Sequence, residues 1–295
     1  MLAGLPVSHN QIIMKQFVKS FLIVALLAVL PLNRAAAQKD TLRILAIGNS
    51  FSVDAIEQNL WELFNAAGIP VVIGNMYIGG CSLERHWQNM LTNSTDYRYC
   101  IIRNGVKKYI KDFTLEKAFA AEDWDCVSLQ QASHFSGLYS TYQRYLPSLV
   151  RYAVEKEGPD VRILWHMTWA YATTSTHSGF ANYGKDQMTM YKAILSSVKQ
   201  ARVDNRRINT LIPAGTAIQN GRTSSLGDTF NRDGFHLELT YGRYTAACVW
   251  FEKLSGQSVV GNPWRPEGVD AATADICQRA AHAACRHPWR VTKIK

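Results

Sequence analysis

Ile44-Leu45-Ala46-Ile47-Gly48-Asn49-Ser50-Phe51-Ser52 is the stretch that decides the fold. Its apolar run reads as a strand, Arg43–Ile47. An amphipathic helix over Asp54–Ala67 follows, with Ile56, Leu60, Leu63 and Phe64 on one face and Gly68 ending it. Gly48-Asn49-Ser50 is then a strand-to-helix turn that exposes Ser50 beside a helix N-terminus, where free backbone N–H groups gather.

The same alternation continues down the chain. Further strands are expected at Val71–Met76, Cys126–Gln130, Arg162–Met167 and Asn209–Pro213. Between and after them lie helical patterns: one from the Ser82 cap to about Leu91, then Leu115–Glu122, Thr141–Lys156, Asp186–Arg202, Thr240–Leu254 and Thr273–Cys285. Tyr97–Phe113 reads as an inserted hairpin turning at Asn104-Gly105. Strand–helix alternation of this kind implies an α/β fold, a parallel five-stranded sheet with right-handed crossovers and helices on both faces. Ligands bind such sheets at the carboxyl ends of the strands. Ser50, Gly79-Gly80, Gln130-Gln131 and Trp169 all fall just after expected strands.

Composition agrees with a globular chain. Of 295 residues, 47% are hydrophobic and 19% charged, and the formal net charge is +9. Lys15 and Lys19 precede the apolar stretch 21–32, and Ala35-Ala36-Ala37 follows. This is the pattern of a secretory signal peptide over residues 1–37, with an apolar core too short for a bilayer, which takes about 20 residues. The expectation is an exported protein, periplasmic or secreted, with one domain over residues 38–295 and no membrane attachment after cleavage. The basic tail from Arg286 to Lys295 suits a solvated end, and no nucleic-acid signature accompanies it. The six cysteines show no framework spacing. Cys277 and Cys285 would lie about 12 Å apart on one helix, too far to bridge, so few or no disulfides are expected. No metal-binding spacing, phosphate loop or dinucleotide fingerprint occurs, so no metal or cofactor is expected.

The chemistry-bearing residues lie at both ends of the domain. A serine hydroxyl is a weak nucleophile unless an imidazole takes its proton and a carboxylate orients that imidazole. Arg232-Asp233-Gly234-Phe235-His236-Leu237 supplies such an acid and base, short enough in the chain for both side chains to point one way. Ser50 alone also fits an ordinary helix cap, and His236 alone an ordinary structural histidine. Gly79-Gly80 lets backbone approach a ligand closely, and Gln130 offers an amide donor. Trp165-His166-Met167-Thr168-Trp169-Ala170-Tyr171 ends a strand at the same edge. Trp165 and Met167 are expected in the core, while Trp169 and Tyr171 are expected exposed as faces for a sugar ring.

In this order the blocks resemble the SGNH hydrolase (GDSL-like esterase) superfamily, over essentially Arg43 to Leu254. The resemblance implies a three-layer α/β/α sandwich with a flavodoxin-like sheet. It implies catalytic roles for Ser50, Asp233 and His236, with Ser50 and Gly80 in the oxyanion hole. Gly-Asn-Ser replaces the usual Gly-Asp-Ser. The family's Gly-x-Asn-Asp block is replaced by Leu129-Gln130-Gln131-Ala132-Ser133, which makes Gln130 the expected third oxyanion donor and Gln131 its alternative. The blocks look most like the DUF4886 subgroup. The expected function is a serine esterase removing short acyl groups, chiefly acetyl, from a polysaccharide or oligosaccharide. A lipase, thioesterase or arylesterase on the same residues is the alternative, and a non-catalytic glycan-binding protein a third.

Overall fold

The first strand, β1 (Leu42–Gly48), is buried from Ile44 onward, as expected of a central strand covered on both faces. The computed structural model describes Met1 and residues 41–295, so the expected signal segment lies outside the described residues. β1 pairs in parallel with β2 (Val71–Tyr77) on one side and β5 (Cys126–Leu129) on the other. Beyond β5 come β6 (Arg162–His166) and β7 (Ile208–Ile212), also parallel. These five strands follow the flavodoxin-like order 2-1-3-4-5 of a doubly wound sheet.

The hairpin is part of that sheet. β3 (Tyr97–Arg103) pairs antiparallel with β2, and β4 (Val106–Phe113) with β3, making seven strands where five were expected. Without it, the edge of β2 would leave a row of backbone groups unpaired. The new edge strand carries Lys107, Lys108 and Lys111, charges that discourage further pairing. Asn104 and Gly105 both have positive φ, 50° and 74°, as a two-residue hairpin turn requires.

The helices depart from expectation where local chemistry interrupts periodicity. The helix expected over Asp54–Ala67 is two helices, α1 (Ser50–Ile56) and α2 (Leu60–Ala66). α1 begins early because the Asn49 side chain caps it, accepting from Phe51 N–H at 3.0 Å. It stops at Glu57, whose carboxylate is turned into the interior. α3 (Leu83–Thr92) is capped by Ser82, as expected, and α4 (Leu115–Phe119) by Thr114. The expected Thr141–Lys156 helix divides into α5 (Ser140–Gln143) and α6 (Leu146–Glu157), because Pro147 fits only a first turn. α7 (Gln187–Asp204) starts at the Asp186 cap. α8 (Ala214–Gly221) was not expected. It is short, begins just after Pro213 and carries Gly215 and Gly221, which weaken a helical reading. It packs against α9 (Tyr241–Ser255) and α10 (Ala271–Arg286). Among the described residues no helix is long and apolar enough to cross a membrane.

Two histidines are sealed in the interior. His86 Nδ1 meets the Tyr97 hydroxyl at 2.9 Å, and His166 Nδ1 meets Gln130 Oε1 at 2.9 Å. Burial pushes both imidazoles down to about 3 from an ordinary value of 6.5. Between those values the unfolded chain binds more protons than the folded one, so stability is full above about 6.5 and falls as pH drops toward 3. Each histidine contributes at most about 1.4 kcal/mol per pH unit in that window. The urea midpoint of His166→Asn should therefore fall less steeply from pH 7 to pH 5 than that of the wild-type protein. Parallel slopes would rule His166 out as a source of acid sensitivity.

Candidate active site

β1 ends at Gly48, where there is no room for a side chain. A Cβ would lie 2.7 Å from Ser52 Oγ and 2.9 Å from the Gln130 amide. Asn49 follows, buried, with all its amide atoms engaged. Oδ1 accepts from Phe51 N–H and from Gln130 Nε2 at 2.8 Å, and Nδ2 donates to the Cys81 carbonyl at 3.0 Å. An aspartate there would have no donor for Cys81 and would bury a charge. Ser50 is thus held at the first turn of α1 with its side chain partly exposed.

His236 meets Ser50 across 186 residues of chain: Nε2 lies 2.8 Å from Ser50 Oγ, and Nδ1 lies 2.6 Å from Asp233 Oδ2. Asp233 Oδ1 accepts from the N–H groups of Phe235 and His236 at 3.1 and 2.7 Å. Gly234 makes this tight loop possible, with φ at +86° and a Ser175 Cα only 2.8 Å from where a Cβ would sit. Partial burial works to raise the Asp233 pKa. The bonds from the His236 ring and from both backbone N–H groups outweigh it and hold the carboxyl below its usual range. An ionised Asp233 keeps the proton of a neutral His236 on Nδ1, which leaves the Nε2 lone pair facing the Ser50 hydroxyl. The arrangement can take a proton from Ser50.

Asp54 ties the two halves together, and the sequence reading did not single it out. It lies one turn after Ser50 on α1 and is 1% exposed. Its carboxylate accepts from Arg232 Nη1 at 3.2 and 3.1 Å, from Arg243 Nε at 2.8 Å and from Leu237 N–H at 2.8 Å. Arg232 also bonds the Leu237 carbonyl. The signal available in sequence was the i, i+4 spacing of Ser50 and Asp54, which places both on one helical face.

Trp169 and Tyr171 are not exposed. Both are 0% accessible, because the chain after β6 runs under the Asp233–His236 loop. Trp169 stacks on Phe51 at 4.3 Å between centroids and donates from Nε1 to the Phe235 carbonyl at 2.8 Å. The Tyr171 hydroxyl meets Ser133 Oγ at 2.8 Å. They brace the loop from below. Gln130 is also corrected. It is 2% exposed, with Nε2 donating to Asn49 and Oε1 meeting His166, and it does not line the cavity over Ser50. It follows β5 directly and ends beneath the Gly48 turn. Gln131 is likewise engaged, by Leu83 N–H, Ala132 N–H and Thr141.

A cavity opens over Ser50 and His236, and Gly79 and Gly80 line it. Gly80 has φ +62°, and neither its N–H nor that of Ser50 has a hydrogen-bond partner among the described residues. Phe235, His134 and His177 form another part of the wall. His177 Nδ1 accepts from Gly179 N–H at 3.0 Å, which leaves Nε2 as the donor of that ring. Burial, then the charge of His236, pushes His177 below the ordinary imidazole range; burial, then His177, does the same to His134. Among the described residues no three His, Cys, Asp or Glu side chains group to hold a metal ion.

The model of a family described as a domain of unknown function (DUF4886) matches residues 43–284. The chain is similar to the crystal structure of a DUF4886 family protein from Bacteroides uniformis ATCC 8492, with 52% identity and a TM-score of 0.85 over 86% of this chain and 98% of that one. It is also similar to a proposed SGNH hydrolase from Slackia heliotrinireducens, at 22% identity and a TM-score of 0.50, over 73% of this chain and 100% of that one. No curated protein matches the chain.

Asp54→Ala should lower unfolding stability by about 2–3 kcal/mol, since it removes several charge-assisted bonds while Arg232 and Arg243 keep some solvent access. Amide exchange should quicken over residues 232–243 and stay slow in β1. Unchanged protection at Leu237 would mean that Asp54 does not hold the loop.

Proposed function

The chain belongs to the DUF4886 family and has the SGNH hydrolase fold, and we propose that it is a serine esterase that removes short acyl groups, chiefly acetyl, from saccharides. One observation carries this reading: the hydrogen-bonded line Ser50–His236–Asp233 opens into a cavity beside two unpartnered backbone N–H groups. In the proposed reaction Ser50 Oγ attacks the ester carbonyl while His236 Nε2 takes its proton. Charged Asp233 stabilises the imidazolium that forms. The N–H groups of Ser50 and Gly80 receive the oxyanion. His236 then protonates the departing sugar oxygen. Water, deprotonated by the same imidazole, releases the acyl group from Ser50 and restores the enzyme.

The cavity wall favours a small acyl group. A long acyl chain needs a continuous apolar trough, and here Ser133, His134, His177, Arg98, Arg232 and Arg243 interrupt the wall. Export, proposed from the N-terminal pattern of residues 1–37, would bring the enzyme to polymeric glycans outside the cytoplasm.

Ser50→Ala and His236→Ala should each lower kcat on an acetyl ester by roughly 10⁴-fold or more, and the double variant should be scarcely worse than either. Residual activity near wild type in Ser50→Ala would sink the mechanism. In an acyl series on one alcohol, acetyl should be cleaved faster than octanoyl; the reverse order would favour a lipase or thioesterase.

A further inference from the structure

Three arginines line the cavity over Ser50: Arg98, Arg232 and Arg243. The one carboxylate on that wall, Asp54, is already saturated by donors. Arg232 and Arg243 share it, so one of their two positive charges is unbalanced there. Among the described residues, the side-chain bonds of Arg232 are made through Nη1 alone, and Arg243 Nη1 has no partner. Asp233 stands behind the imidazole and does not line the cavity.

Arg98 is more elaborately held. It comes from the edge hairpin and is 30% exposed at its side chain. Its Nη2 bonds both oxygens of buried Glu57, at 2.9 and 3.1 Å. Its Cζ sits 4.3 Å from the Tyr77 ring centroid and 4.6 Å from that of Tyr109. Glu57 in turn accepts from Asn75 Nδ2 at 2.7 Å and from the Tyr109 hydroxyl at 3.2 Å. Arg98 Nε is buried and has no hydrogen-bond partner among the described residues. A buried ion pair is a weak way to gain stability, and an apolar pair would often serve as well. The clamp does something an apolar pair cannot: it holds a planar, always-charged donor at a set orientation on the wall of the cavity.

We infer that Arg98, with Arg232 and Arg243, receives a carboxylate on the saccharide itself, so that the preferred substrate is an acyl ester of an acidic sugar such as a uronate. Charge-assisted bonds from guanidinium N–H groups to a carboxylate are stronger than those to a neutral sugar hydroxyl. The hairpin β3–β4 is on this view a specificity element as well as an edge cover. The inference rests on the esterase reading for its kinetic test, and a binding test separates the two.

The test compares O-acetylated oligogalacturonate with O-acetylated xylo-oligosaccharide. The wild-type protein should prefer the acidic substrate in kcat/KM by at least roughly 10-fold, equivalent to one charge-assisted bond. The preference should shrink between 0.05 and 0.5 M NaCl, as partly exposed charges are screened. The paired change Arg98→Met with Glu57→Gln strands no buried carboxylate, and it should bring the ratio toward one. Arg98→Lys keeps the charge but not the planar guanidinium stacked on Tyr77 and Tyr109, and should retain part of the preference. A wild-type ratio near one, or a ratio that survives the paired change, overturns the inference. If neither ester is cleaved, the esterase reading fails and calorimetry decides the rest. Tighter binding of unesterified oligogalacturonate than of xylo-oligosaccharide, lost in the paired variant, upholds the acidic site; equal binding overturns it.

Discussion

A buried carboxylate must be paired, and in this protein that requirement assembles the site. Asp54 is out of water on α1, and the donors that satisfy it are Arg232, Leu237 N–H and Arg243. The loop bearing Asp233 and His236 lies within that span. Satisfying the charge and delivering the imidazole to Ser50 are therefore one event. The same helix repeats the device at its other end, where Glu57 captures Arg98 and fixes the hairpin. Ser50, Asp54 and Glu57 are spaced i, i+4, i+7, so one face of a short helix presents the hydroxyl and both anchors.

The sheet decides where this helix stands. β1 is flanked by β2 and β5, the point at which the strand order reverses, and a crevice opens at the carboxyl ends there. Beneath the crevice lies a polar layer with no access to solvent: Asn49, Gln130 and His166 bond one another in series. These bonds lock the turn that carries Ser50, while the buried His166 Nε2 has no hydrogen-bond partner among the described residues. Trp169, stacked on Phe51 and bonded to the Phe235 carbonyl, locks the opposing loop from below. The hydroxyl and the imidazole are thus each held by buried structure, as a reaction geometry requires.

The outer wall has a different character. It is built from arginines, histidines and the Gly79-Gly80 turn, groups that hydrogen-bond and carry charge. Its guanidiniums are positioned by the buried carboxylates of Glu57 and Asp54, and the Asp54 carboxylate, though on the wall, is already occupied by donors. That inequality of donors and acceptors is the ground on which we infer an anionic ligand.

Sequence alone determined the elements whose signal is local. The five parallel strands, the hairpin with its Asn104-Gly105 turn, the Ser82 cap and the position of Ser50 after a strand all follow from runs of a few residues. Asp233 and His236 were legible as a pair because three residues separate them. What sequence could not decide was which polar side chains face inward. Gln130 and Trp169 stand at the ends of strands, where an exposed side chain and a buried one look alike. Their orientation depends on Asn49 and on the Phe235 carbonyl, 81 and 66 residues away in the chain. α8 was hidden because it spans only eight residues and two of them are glycines, which weaken a helical reading. Asp54, Glu57, Arg98, Arg232 and Arg243 carried no local signal, since a charge is buried only when a distant partner offsets its desolvation, and only the tertiary structure brings that partner to it.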